Sequence, residues 1–158
     1  MIYISPLMKN EINKEENNIK QSVISSDLLD LLDFIDIDGC IFFKFQKIDN
    51  EISRVDANEI AGQFLDLSGY EVSINRFHID DYVSGNILCQ SILFLDEFKK
   101  RWKEIYPDLN CVVLITFQND EIGEFSTFTF HKVRNDESIF DPSEINNIEQ
   151  AILVEFIN

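Results

Sequence analysis

A chain of 158 residues with 13 Lys and Arg against 29 Asp and Glu carries a net charge of −16, which disfavours phosphate backbones and anionic membranes and argues against direct nucleic-acid binding. An apolar content of 45%, with 14 phenylalanines, is far from the composition of a disordered chain, and the length suits one domain around one core. No apolar run reaches the ~20 residues that span a bilayer, and Met1-Ile2-Tyr3-Ile4-Ser5-Pro6 is too short and uncharged for a signal peptide, so a cytoplasmic location is expected.

Residues 2–7 read as a short strand, and residues 8–22, rich in Asn and Glu, as a loop or an exposed helix. Ser25 or Ser26 then caps a predicted helix in which Leu28, Leu31, Leu32 and Ile35 share one face and Gly39 closes the C-terminus. Over residues 40–47, Ile41, Phe43 and Phe45 alternate with Phe42, Lys44 and Gln46 at the period of a half-buried strand. Asp56 is the expected N-cap of a short helix through Ile60, Phe64 and Leu67, ended by Ser68-Gly69, and the alternation of Tyr70, Val72 and Ile74 predicts a strand after it.

From Ser91 to Tyr106, Leu95, Phe98, Trp102 and Ile105 stand at helical spacing, with Lys99, Lys100, Arg101 and Lys103 suiting the negative end of the helix dipole and Pro107 ending the helix. Residues 87–93 fit strand or helix equally well. The runs Cys111–Phe117 and Phe125–Val133, separated by residues 118–124, give the strongest hairpin signal in the chain. Asp141-Pro142-Ser143-Glu144 marks the start of a short helix, and residues 152–156 have the composition of a closing strand. Together these elements predict one α+β domain over residues 1–158, mainly antiparallel sheet with several packed helices.

The chemistry-bearing residues are sparse. Cys40, Cys89 and Cys111 are odd in number and widely spaced, which fits reduced, buried thiols and no zinc site. His78-Ile79-Asp80-Asp81 is the best local cluster for a cation, but further ligands have to come from elsewhere, and the bland alternative is a surface strand end. His131 reads as a hydrogen-bonded structural histidine, and the Phe125, Phe128 and Phe130 stripe as core, because it lacks the flanking set of Lys and Arg that holds phosphate. No phosphate loop, nucleophile elbow, dinucleotide fingerprint or zinc-protease motif occurs, so neither an enzyme, a cofactor nor a resident metal is expected.

The acidic residues carry more information. Asp27, Asp30, Asp33 and Asp36 recur at every third position of the predicted leucine-rich helix, with Asp38 after them, and form a negative stripe that is either solvated surface or a docking stripe for a cationic partner. Asp80, Asp81, Asp120, Glu121, Glu124 and the pair Asp136-Glu137 add acidic loops, where binding residues are often carried. Tyr82, Tyr106 and Trp102 are the candidate apolar anchors.

The Phe94–Trp102 segment, the apolar hairpin, the run from Phe128 through His131 and Arg134 to Glu137, and the closing Glu149–Glu155 resemble bacterial immunity proteins of polymorphic-toxin and contact-dependent growth inhibition systems. That resemblance covers about half the chain and implies a small cytoplasmic protein that neutralises a cognate toxin domain, often a nuclease, by occluding its active site. The leading expectation is therefore an immunity protein bound to a basic toxin domain. An acidic adaptor or nucleic-acid mimic that binds a DNA-binding protein is the alternative, and a metal-dependent hydrolase the third reading.

Overall fold

The computed structural model describes residues 1–158 and opens with β1 (Ile2–Ile4). The strand predicted over 2–7 stops early because Ser5 and Pro6 start a helix: the Ser5 hydroxyl accepts from the Met8 N–H, and Pro6 sits in the first turn, where its missing N–H is no loss. α1 (Pro6–Gln21) thus resolves the polar stretch as helix, with Met8 buried and the pairs Glu11–Lys14 and Glu16–Lys20 on its outer surface.

The largest departure from expectation follows. α2 (Ser26–Leu29) is a single turn capped by Ser25, after which the chain forms an antiparallel hairpin of β2 (Phe34–Ile37) and β3 (Cys40–Phe43) where a helix to Gly39 was predicted. Asp38 and Gly39 are the two residues of its turn, at φ 52° and 82°, and positive φ at both central positions is what a right-twisted two-residue hairpin requires. Gly39 is therefore a hairpin glycine and not a helix cap. α3 (Lys44–Asp49) begins directly after β3, so the strand predicted over 40–47 ends at Phe43.

Asp56 caps α4 (Ala57–Phe64) as expected, its carboxylate accepting from the Asn58 and Glu59 N–H groups. α5 (Leu67–Asn75) replaces the strand predicted around Tyr70, Val72 and Ile74. Its buried positions are Ser68, Glu71, Val72 and Asn75, the i, i+3, i+4, i+7 series of a helix face, and three of these are polar, so no apolar periodicity announces them. Between the two helices Leu65 adopts φ 70° and ψ −55°, and the Asp66 N–H donates to the Phe64 carbonyl at 2.8 Å, a strained three-residue turn. A Cβ on Gly69 would lie 2.3 Å from that same carbonyl, so only glycine fits there.

β4 (Phe77–His78) leads through a 3-10 turn (Ile79–Asp81) to α6 (Ile87–Ile105), which starts earlier than the predicted Ser91 and decides residues 87–93 as helix. β5 (Cys111–Asn119) and β6 (Glu124–Lys132) form the predicted hairpin, a 3-10 helix (Pro142–Asn147) follows its Asp141 cap, and β7 (Ala151–Ile157) is the closing strand. The sheet is antiparallel throughout, in the order β1-β7-β5-β6-β4, and with the separate β2–β3 hairpin and the helices it makes an α+β fold.

One sheet face, with Val113, Ile115, Phe128, Phe130 and Leu153, packs against Phe94, Phe98 and Trp102 of α6. In the small hairpin β3 is buried on both faces and β2 is half-buried. Phe43, with its cross-strand partner Phe34, enters the main core against Phe98 and Phe130, while Cys40 and Phe42 face a second cluster with Ile52, Tyr70 and Ile74. Burying a phenylalanine contributes roughly 1.5–3 kcal/mol, so this intercalated pair is a large share of what fixes the hairpin.

Backbone groups of β3 and β6 are bridged by two side chains of α5. Glu71 accepts from the N–H groups of Ile41 and Lys132 at 2.6 and 2.8 Å, and Asn75 accepts from the Phe43 N–H while donating to the carbonyls of Ile41 and Phe130. Arg134 completes the joint with a two-nitrogen contact to Glu71 at 2.7 and 2.8 Å. Side chains thus do between these strands what a further strand would do through its backbone.

Candidate protein-binding surface

Some acidic side chains, such as Glu71, are buried in the fold, and most face outward. The aspartates of the predicted stripe are all exposed, and three of them also make local contacts. Asp33 pairs with Lys44 at 3.2 Å, Asp36 accepts from the Gly39 N–H at 3.0 Å, and Asp38 accepts from the Val55 N–H at 2.8 Å. Only Asp27 and Asp30 present exposed carboxylates without such a partner. The stripe has no helix to lie on, since α2 ends before Asp30 and the later aspartates sit in a turn, on β2 and in the hairpin turn.

Most of the remaining predicted carboxylates come together, whereas Asp136-Glu137 lies beyond the far end of β6, with Glu137 accepting from the Ser68 N–H at 2.8 Å. Asp80 accepts from the Ser126 N–H at 2.9 Å, which ties the 3-10 turn, and Asp81 with it, to the start of β6 next to Glu124. Asp120 and Glu121 occupy the β5–β6 loop at the same end of the sheet, where Asp120 accepts from the N–H groups of Ile122 and Gly123 and from the Gln118 amide. Those bonds, the Ile122 N–H foremost, hold the Asp120 carboxyl below the usual range.

Sequence reasoning missed three further carboxylates here. Glu15 of α1 lies 3.6 Å from the Cys89 thiol, and burial, then Glu15, then Glu124 push that thiol up to about 11. Glu11, one turn earlier on α1, and Glu149, just before β7, line a groove with the ends of β5 and β6. The signal that locates the first two is Ser5-Pro6, a cap followed by a first-turn proline, which places Glu11 and Glu15 four apart on one helix. Of the lysines and arginines, only Lys14 pairs with any carboxylate of this end, at 2.6 Å from Glu11.

The groove has a volume of about 500 Å³ and is walled by Leu7, Glu11, His78, Gln118, Phe125 and Glu149, among others. Phe125 therefore lies apart from Phe128 and Phe130, which are fully buried as expected. On its floor the hydroxyls of Thr116 and Thr127, a cross-strand pair, are bonded to each other at 2.6 Å. Tyr82 stands beside the acidic end, edge-on to Phe77 and Phe45 with ring centroids 5.8 and 6.4 Å away. Trp102 is not a docking anchor, being fully buried with its indole N–H donated to the Leu109 carbonyl at 2.8 Å, while Tyr106 packs on Phe34 and Trp102 and stays partly exposed.

His131 is buried and its Nδ1 meets the Lys132 carbonyl at 3.0 Å, while His78 is exposed with Nδ1 3.8 Å from Asp80. No group of three or more His, Cys, Asp or Glu side chains is arranged to hold a metal ion, and Cys40, Cys89 and Cys111 are free, buried thiols. No helix is long and apolar enough to cross a membrane.

A family model described as the Uncharacterized protein PM0498 family matches residues 3–158. The chain is similar to Uncharacterized protein PM0498 of Pasteurella multocida (strain Pm70), at 77% identity over 158 residues that cover 100% of both chains. No solved structure matches. With the match running from β1 through β7, this chain belongs to the PM0498 family.

Proposed function

We propose that the protein works by binding, and that the acidic hairpin end of its sheet docks a basic protein partner. The observation that carries this reading is the convergence of Glu11, Glu15, Asp80, Asp120, Glu124 and Glu149 from separate segments on one end, where Lys14 is the one lysine or arginine paired with them. Like charges held together destabilise the folded state by self-repulsion, and a cationic partner relieves that repulsion while its encounter is accelerated by the field.

A toxin nuclease domain, the partner class implied by the resemblance to immunity proteins, fits this electrostatics because its cleft must attract phosphate. In that role the acidic end occupies the cleft and excludes the nucleic acid. The test is to mix the purified protein with the product of the adjacent gene and follow complex formation and nuclease activity at low and near-physiological ionic strength. A tight complex with inhibited activity supports the reading. Absence of association at low salt removes it, and recovery of a DNA-binding protein in place of a toxin transfers the same surface to the nucleic-acid-mimic reading.

A further inference from the structure

We infer that a small pocket at the opposite end of the sheet binds a compact neutral hydroxyl compound, with the His131 imidazole as its hydrogen-bond acceptor. The site is independent of the docking reading: it lies at the Lys132 end of β6, whereas the acidic surface gathers at the Glu124 end. His131, Val112 and Phe156 stand side by side on β6, β5 and β7, in register on the sheet face turned away from α6. Val133, Ile139 and Phe140 complete the pocket around them, with a volume of about 50 Å³.

One uncommitted acceptor sits in its wall. His131 is only 4% exposed, and its Nδ1 donates to the Lys132 carbonyl at 3.0 Å, so the neutral ring carries its proton there and its lone pair on Nε2. Nε2 has no partner within the protein. Every side-chain nitrogen or oxygen sealed inside the protein has one, so Nε2 reaches open space, and the space that His131 lines is this pocket. The cover is fixed as well: Glu137 is held by the Ser68 N–H, and Phe140 packs on Tyr3 with ring centroids 6.2 Å apart.

The lining selects the ligand. Five of its eight residues are apolar, and apart from His131 its only side-chain donor, the Ser138 hydroxyl, is given to the Phe140 carbonyl at 3.1 Å. A ligand therefore brings its own donor to Nε2 and an apolar body to the walls. Charge of either sign is disfavoured, a cation by the Arg134 guanidinium, which acts on both His131 and Glu137, and an anion by the acceptors themselves. The volume is about a third of the roughly 150 Å³ that accommodates benzene and exceeds the roughly 10–15 Å³ that one water needs, so the occupant has about three to five heavy atoms.

The probes are 2-propanol and acetone, which share a heavy-atom skeleton and differ in that only the alcohol donates. Each is titrated into the full-length protein at neutral pH and followed by the ring signals of His131 and the methyl signals of Val112, with the exposed His78 as internal control. The alcohol should give a saturating shift at His131 and Val112, with a Kd of about millimolar order, and none at His78. Acetone should bind at least about tenfold more weakly. In His131→Phe, followed through Val112, that preference should vanish. Non-saturating shifts at both histidines, equal binding of the two probes by the parent protein, or a preference that persists in His131→Phe would each overturn the site. The comparison within the parent protein needs no variant, and none of these outcomes bears on association with the adjacent gene's product.

Discussion

Replacing Glu71 by Gln should loosen the corner where the small hairpin meets the main sheet. Glu71 is fully buried and accepts from the N–H groups of Ile41 and Lys132 and from both terminal nitrogens of Arg134. Glutamine keeps the volume but turns an NH2 group toward one pair of these donors, and it leaves an Arg134 side chain that is only 12% exposed without its counter-charge. Removing one member of a buried ion pair costs about 3–5 kcal/mol, against a total stability of about 5–15 kcal/mol for a domain. At about 2–4 °C per kcal/mol for a chain of this size, Tm should fall by roughly 6–20 °C.

The assay is urea unfolding followed by Trp102 fluorescence and far-UV circular dichroism, run as a cycle with Arg134→Gln and the double variant. If the uncompensated guanidinium is the cause, the double variant is less destabilised than the two single losses added together, by at least about 1 kcal/mol. A Glu71→Gln cost below about 1 kcal/mol, or an additive cycle, would refute the joint as described.

Gly62 and Gly69 should respond to alanine in opposite directions. Gly62→Ala adds a Cβ that meets nothing within 4 Å inside α4 and should stabilise by about 0.5–1 kcal/mol, whereas Gly69→Ala drives a Cβ against the Phe64 carbonyl and should lower Tm; equal effects in a thermal melt would contradict this. Burial holds the His131 imidazole below its ordinary 6.5, with Arg134 acting the same way and the Lys132 carbonyl, Glu71 and Asp66 pulling upward. The unfolded chain therefore binds more protons than the folded one as pH falls below about 6.5, so this contribution is full above that value and is lost beneath it. His131→Gln should flatten the stability profile in that window, and an unchanged slope would count against it. Asp120 and Asp141, held low chiefly by the Ile122 N–H and the Ser143 hydroxyl, shift stability with the same sign only in more acidic solution. Burial pushes the Cys40 thiol up to about 12 and Cys89 up to about 11, so a thiol reagent at mildly alkaline pH should label neither in the folded protein and both in urea; rapid native labelling would show that these sites open.

The sequence was legible where a local rule and the tertiary environment agreed. β5, β6 and α6 follow from apolar runs, helical spacing and Pro107, and the caps at Ser25, Asp56 and Asp141 are where short polar side chains announce them. It misled where two codes overlapped. Leu28, Leu31 and Leu32 do reach one core, but from a turn of helix and a bend, and the Asp38-Gly39 pair is a hairpin turn between β-forming runs that also fits a helix ending.

α5 was illegible for a different reason. Its inward face is Ser68, Glu71 and Asn75 with Val72, so the helical period is written in hydrogen-bonding groups whose partners, on β3, β6 and Arg134, lie about 30 to 60 residues away. The acidic surface followed the same pattern. The loops at Asp80-Asp81 and Asp120–Glu124 were visible, but their union with Glu11, Glu15 and Glu149 depends on the α1 packing and the sheet order. The regular aspartate spacing from Asp27 to Asp38 has no helix beneath it: Asp36 and Asp38 make backbone contacts, Asp33 an exposed ion pair, and Asp27 and Asp30 face solvent.

Association kinetics with the adjacent gene's product test the binding surface most directly. The triple variant Asp120→Asn, Glu121→Gln, Glu124→Gln is compared with Asp27→Asn, Asp30→Asn, Asp108→Asn, which removes equal charge from other parts of the surface. At low ionic strength the first should slow association by about tenfold and flatten its salt dependence, and the second should leave both close to the parent protein. Equal slowing by the two variants would mean that total charge steers the encounter, and the acidic end would lose its claim to be the docking surface.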